Sequence, residues 1–214
     1  LGKKKTELEF VYEAGPCGNE SYRQLTKMGY RCVVIAPGLI PVKACDRVKT
    51  DRRDAEKLAR LWRAGELTEV RVPTVEQEAS RDIVRVREDA VEDRLRAQHR
   101  LVKFLLRQGC VFREGKTGST AWRLWVKGQK FENILQQKSY EANRRAFEEA
   151  EARLACLNQE MQDLAELPAY KIPISYLRCF KGIDTISAVT IFVEARDFRR
   201  FQTASNFMKF TCLT

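Results

Sequence analysis

Apolar residues return at steps of three and four over two long stretches of this chain, and that periodicity constrains its fold more than any other feature. Ala79, Ile83, Val86, Ala90, Ala97, Leu101 and Phe104 share one helical face, with Val84, Val91, Leu95 and Val102 on an adjacent stripe. Phe147, Ala150, Leu154, Leu157, Met161, Leu164 and Leu167 follow with heptad spacing. The first helix is expected to end at Gln108, before Gly109, and Pro168 and Pro173 to close the second. Two amphipathic helices joined by a loop bury their stripes best by folding back. Residues 73–168 are therefore read as an antiparallel coiled-coil hairpin. Its stripes exceed what one two-helix contact buries, so a homo-oligomer is expected.

The chain ahead of this pair has a different grammar. Leu8-Glu9-Phe10-Val11-Tyr12-Glu13 reads as a strand, which Ala14-Gly15-Pro16-Cys17-Gly18 stops. Residues 19–28 read as a short helix, and Arg31-Cys32-Val33-Val34-Ile35-Ala36 as a buried, β-branched strand stopped by Pro37-Gly38. A basic loop over residues 41–49 leads into a helix over 51–64, with Gly65 just past its end. Strand, helix, strand, loop and helix form part of an α/β layer and are too few elements to complete one. The fold class is thus α/β plus α. A partial α/β domain occupies 1–72, the hairpin 73–168, and the start of a small helical domain, with a Lys181-Gly182 turn, 169–214.

Charge and composition narrow the function. The 214 residues carry a net charge of +10, which favours a polyanionic partner such as DNA or RNA; the one acidic stretch is 132–167. No window approaches the roughly 18 uninterrupted apolar residues of a membrane span, so no membrane association is expected. Seven cysteines without a CxxC pair, and a single histidine, His99, on a helical flank, disfavour zinc sites, Cys-His nucleophiles and disulfide scaffolds. Scattered thiols fit a reducing, cytoplasmic setting. Leu1-Gly2-Lys3-Lys4-Lys5 lacks an initiating Met and any apolar stretch, and reads as a cut end rather than a secretory signal.

Three carboxylates stand out. Glu13 sits at the C-terminal end of the first strand, where α/β sheets bind their ligands. Asp51 and Asp54, in Lys49-Thr50-Asp51-Arg52-Arg53-Asp54-Ala55, lie three apart at a helix start and share one face. Such a trio makes a hard oxygen site suited to Mg²⁺ or Mn²⁺. In nucleases such sites often hold two metals about 4 Å apart, which activate the attacking oxygen and steady the leaving one. Aspartates in a first helical turn also complement the helix dipole, and a glutamate ending a strand is commonly just solvated. Gly15 and Gly18 lack the following GK[ST] of a phosphate loop and read as a turn.

Tyr12-Glu13-Ala14-Gly15-Pro16-Cys17-Gly18, Val33-Val34-Ile35-Ala36-Pro37, the block from Asp46 through Lys49-Thr50-Asp51-Arg52-Arg53-Asp54-Ala55, and Leu58-Ala59-Arg60 resemble the DEDD transposases of the insertion sequence 110 family. Gly182-Ile183-Asp184-Thr185 and Asp197-Phe198-Arg199-Arg200-Phe201 resemble that family's C-terminal transposase domain. The resemblance implies an RNase H-like (RuvC-like) N-terminal domain, a coiled-coil middle that supports dimerisation and a C-terminal domain with a nucleophilic serine. It also implies DNA and an element-encoded guide RNA as partners. By that match Glu13 is the second acid of the tetrad, Asp51 the third and Asp54 the fourth. The family's first acid, in a motif resembling Asp-x-His-Lys, has no counterpart before Glu13. Neither Ser187 nor Ser205 stands in the Ser/Gly-rich context of the family's serine. The chain is therefore expected to be a piece of a longer protein, binding nucleic acid without recombining it.

Candidate phosphate contacts are Lys43, Arg47 and Lys49 in the basic loop, Arg52 and Arg53 beside the aspartates, and Lys181 in the late turn. At the hairpin tip Lys116, Arg123 and Lys127 interleave with Trp122 and Trp125, a pattern that suits phosphates and stacked bases; the tryptophans equally suit packing between helices. The reading is a transposase that breaks and rejoins DNA. The alternatives are an inert nucleic-acid-binding and dimerisation remnant, or a resolvase-type nuclease.

Overall fold

Val33, Val34 and Ile35 are almost wholly excluded from solvent, which places the second strand at the centre of the N-terminal unit. The computed structural model describes residues 8–41 and 50–211 and divides into two units, Leu1–Thr74 and Val75–Thr214. In the first, β1 (Glu9–Glu13) pairs in parallel with β2 (Arg31–Ile35), Glu9 opposite Arg31 and Glu13 opposite Ile35. A parallel pair needs a crossover, which α1 (Glu20–Lys27) supplies. The ladder runs one step further, Ala14 N–H donating to the Ile35 carbonyl at 2.8 Å. On the other side of β2, Glu69 forms an isolated antiparallel bridge with Ile35, and Val70 N–H donates to the Val34 carbonyl at 2.8 Å. Having neighbours on both sides explains why this strand reads as a continuous β-branched run.

α2 (Asp51–Arg63) starts at Thr50, whose hydroxyl accepts from Arg53 N–H, and ends before Gly65, whose φ of +72° needs no Cβ. It buries Leu58 and Leu61 with Leu67 against Val33 and Ile35. Trp62 Nε1 donates to Glu9 Oε2 at 2.8 Å, Arg31 reaches Glu9 Oε1 at 2.7 Å, and the Arg31 guanidinium lies over the Trp62 ring at 5.5 Å. The last turn of α2 is thereby tied to the start of β1.

The second unit is built on α3 (Val75–Arg107) and α5 (Ile134–Glu166), 33 residues each. Arg87 meets Asn158, Asp93 meets Arg153 and Gln108 meets Gln136; partners descend α5 as they climb α3, so the pair is antiparallel. Between them α4 (Thr120–Lys127) is capped by Ser119, whose hydroxyl accepts from Trp122 N–H. Near this connection Leu101, Phe104, Leu105, Trp122, Tyr140 and Phe147 form one core, and the Tyr140 hydroxyl donates to the Val126 carbonyl. At the other end α6 (Pro168–Leu177) and α7 (Thr185–Ala195) pack on the pair. Val84, Met161, Tyr170, Ile174, Val189 and Val193 form that core, so the hairpin and the segment after residue 168 share one interior. A 3₁₀ turn (Phe198–Arg200) and α8 (Ala204–Phe210) follow.

Some positions differ from the periodic reading. Val86 and Leu95 are 38% and 39% exposed, while Ser80 and Gln98 are buried. Their polar groups are satisfied: Ser80 Oγ lies 2.8 Å from Tyr170 OH and accepts from Arg196, and Gln98 Oε1 accepts from Arg94 at 3.1 Å. A satisfied polar group is tolerated at a seam, so the seam follows the partner helix rather than hydropathy alone. Pro168 opens α6, but Pro173 lies inside it, where the helix forgoes one backbone bond.

The Glu9 clamp gives the N-terminal unit a pH dependence. The Trp62 hydrogen bond, and after it Arg31, hold the Glu9 carboxyl below the usual range despite some opposing desolvation. A depressed carboxyl contributes stability above its unfolded-state value, lost as pH falls through its folded value. In urea melts, Glu9→Gln is expected to be less stable than wild type at neutral pH. The difference should shrink as pH falls below the ordinary carboxylate range; a pH-independent difference contradicts the charged clamp.

Candidate functional site

The fold places Glu13 at the C-terminal end of β1, and Asp51 and Asp54 in the first turn of α2. All three side chains are exposed, and among the described residues no hydrogen bond or ion pair engages their carboxylates. Asp51 and Asp54 are set by the Thr50 cap, which fixes where the helix starts; the Asp54 N–H itself donates to the Thr50 carbonyl at 3.0 Å. Glu13 is set by the parallel register and followed by a tight turn in which Gly18 N–H donates to the Gly15 carbonyl. The donor set is all hard oxygen, which matches Mg²⁺ or Mn²⁺ in type. Among the described residues no group of three or more His, Cys, Asp or Glu side chains is gathered closely enough to hold a metal. Among the described residues the three carboxylates are thus not drawn together into a metal-holding group.

Of the basic candidates, Lys43, Arg47 and Lys49 lie outside the described residues. Arg52 is exposed and pairs with Glu56 at 3.2 Å, while Arg53, Lys116, Lys127 and Lys181 are exposed. Trp122 does not stand where a base can stack. It is 2% exposed and packs edge-on against Phe147 at 5.5 Å, because α4 turns its apolar face into the helix pair. Trp125 is half-buried against Phe112 at 5.5 Å. Arg123 is committed to Glu151, its Nη2 donating at 2.6 Å and its Nε at 3.1 Å. The tip's aromatic and basic pattern is thus a packing pattern at Trp122, which is withdrawn as a nucleic-acid contact, while Arg123 is engaged by Glu151.

Two constellations lay beyond local sequence signals. The Glu9, Arg31 and Trp62 clamp joins residues 53 apart. At the other, the Arg196 guanidinium donates to Tyr170 OH at 3.1 Å and to Ser80 Oγ, and lies over the Tyr170 and Phe192 rings. Arg196 has a φ of +57°, uncommon for a residue with a Cβ, and these contacts hold it there.

Comparison with known proteins names the class. Residues 2–109, which include Glu13, Asp51 and Asp54, match a family model described as Transposase, that of the DEDD transposases of the insertion sequence 110 family. The chain is 37% identical over 204 residues to a putative transposase, y4qE, of Sinorhizobium fredii (strain NBRC 101917 / NGR234), covering 93% of this chain and 48% of that protein. It is 35% identical over 200 residues to the transposase for insertion sequence element IS1533 of Leptospira borgpetersenii, covering 92% and 57%. These are transposases. The chain belongs to the DEDD transposases of the insertion sequence 110 family, and it spans about half the length of the curated relatives it matches.

The core role of Trp122 has a measurable consequence. Trp122→Ala is expected to cost roughly 3–5 kcal/mol in thermal or denaturant unfolding, the usual range for truncating a buried aromatic. A change below about 1 kcal/mol, accompanied by weakened nucleic-acid binding, contradicts the packing role.

Proposed function

We propose that this chain is part of an enzyme that cuts and rejoins DNA during movement of an insertion sequence, using a divalent cation held at the Glu13, Asp51 and Asp54 end of an RNase H-like layer. The observation that carries the reading is the set of exposed carboxylates at the end of β1 and in the first turn of α2, within the segment that matches the transposase family. Exposed carboxylates free of internal partners are available to a cation and to the phosphodiester it neutralises. A bound Mg²⁺ or Mn²⁺ supplies Lewis-acid stabilisation of the phosphate and lowers the pKa of an attacking oxygen. The open arrangement is consistent with ligands completed by the substrate and by other parts of the longer protein.

DNA is the proposed substrate, and a guide RNA, implied by the family resemblance, a further partner. Arg52, Arg53, Lys116, Lys127 and Lys181 remain candidate phosphate contacts on exposed surfaces. Self-association is proposed through the connection end of the hairpin, where Leu124, Ile134 and Leu135 are each at least 66% exposed. Among the described residues no helix is long and apolar enough to cross a membrane. Action on chromosomal DNA is proposed to take place in the bacterial cytoplasm.

The test is strand cleavage by the full-length protein. Asp51→Asn and Asp54→Asn, each with unchanged melting temperature, are expected to lower cleavage about a hundredfold or more, since even outer-sphere changes at metal sites cost about 10–100-fold. Cleavage at the wild-type rate by both variants contradicts the site.

A further inference from the structure

We propose that the outer face of α3 is a binding ridge for the sugar-phosphate backbone of duplex DNA, an inference that rests on the DNA reading above. Arg96, Arg100, Lys103 and Arg107 recur at steps of four, three and four, so they lie in one row. All four are exposed. The seam residues interleaved with them, Ala97, Leu101, Phe104 and Leu105, are buried, so the row faces away from α5. Between Asp93 and Glu114 the chain carries six Arg or Lys residues and no Asp or Glu.

The state of these cations differs from that of four others on the hairpin. Arg81 pairs with Glu194, Arg123 with Glu151, Arg144 with Glu148 and Arg153 with Asp93. Those cations are already neutralised by the fold. Arg96, at the edge of the row, also pairs with Glu92 and Asp93. Beyond it, no hydrogen bond or ion pair among the described residues engages Arg100 or Lys103, and Arg107 only lies over the Phe104 ring at 6.0 Å. Three cations in one row without an ion pair among the described residues, in a stretch that carries no Asp or Glu, present an uncompensated positive edge.

The geometry selects the ligand. From residue 96 to 107 the helix rises about 16 Å, the axial length of about five base pairs. Repeated cations at that scale neutralise successive phosphates and release counterions. The one aromatic within the row, Phe104, is buried in the seam, so the ridge offers no platform for unstacked bases. It therefore fits a double helix read through its backbone rather than a single strand held by stacking.

The experiment uses the 214-residue chain and titrates fluorescent duplexes of about thirty base pairs, as DNA and as RNA, and a single strand, over a range of salt. Arg100→Gln/Lys103→Gln/Arg107→Gln is expected to keep wild-type helix content and melting temperature. The slope of log affinity against log salt should become shallower by about 2 to 3 on a duplex, at close to 0.9 per lost phosphate contact. A shallower slope on the RNA duplex alone, with the DNA slope unchanged, overturns DNA as the occupant. Arg100→Lys/Arg107→Lys keeps the charge and should keep the slope. Arg144→Gln/Arg153→Gln/Lys171→Gln removes equal charge from paired cations, Lys171 being paired with Glu166 at 2.8 Å, and should change the slope by less than 1. A triple ridge variant with the wild-type slope on both duplexes overturns the ridge while leaving the wider reading intact. Loss confined to the single strand, or loss of self-association with duplex binding unchanged, overturns it in favour of another occupant. Failure of the wild-type chain to bind any of the three overturns both.

Discussion

Burial of the α3/α5 seam is the interaction on which the C-terminal unit depends. Leu101, Leu105, Phe147 and Met161 are each no more than 3% exposed, and a side chain of that kind contributes about 1.5–3 kcal/mol when fully removed from water. The seam also divides labour along the helices. One end, with Trp122 and Tyr140, fixes α4 and the connection; the other, with Met161, Tyr170 and Val189, anchors α6 and α7. Because one face of α3 is committed to this burial, its outer face is free to carry charge.

The N-terminal unit is organised around β2 in the same sense. Parallel pairing on one side, the Glu69 and Val70 contacts on the other and α2 across one face leave Val33, Val34 and Ile35 no exposed surface to speak of. The parallel register then dictates where Glu13 stands. The Thr50 cap dictates where Asp51 and Asp54 stand, and the Glu9 and Trp62 clamp dictates which way α2 runs. None of the three carboxylates makes a hydrogen bond or ion pair among the described residues; Asp51 and Asp54 add only the favourable charge of a first helical turn.

The elements were legible in the sequence because their signals are local. β-branched runs between turn residues gave β2, Thr50 before an amphipathic run gave the start of α2, and three-and-four spacing gave both long helices. The exact seam was not legible, since Ser80 is accommodated by Tyr170 and Arg196 from 90 and 116 residues away. Trp122 misled because one helix face can alternate with basic residues for packing as readily as for binding; only its contact with Phe147 decides. The DEDD resemblance made Glu13, Asp51 and Asp54 readable as a set. Their openness as a group was visible only in three dimensions, because it depends on strand register and helix direction together.

Ferrous iron, added as a probe of the proposed cation site, offers the most direct measurement. Bound with ascorbate and peroxide, it generates hydroxyl radicals that cut the polypeptide within reach of the metal. A shared cation site predicts two clusters of backbone cuts in the one chain, around Glu13 and around Asp51 to Asp54, both suppressed by excess Mg²⁺ and both lost in Asp51→Asn. Cuts at only one of the two segments, or cuts there that Mg²⁺ does not compete away, would show that the strand end and the helix start do not hold a common metal.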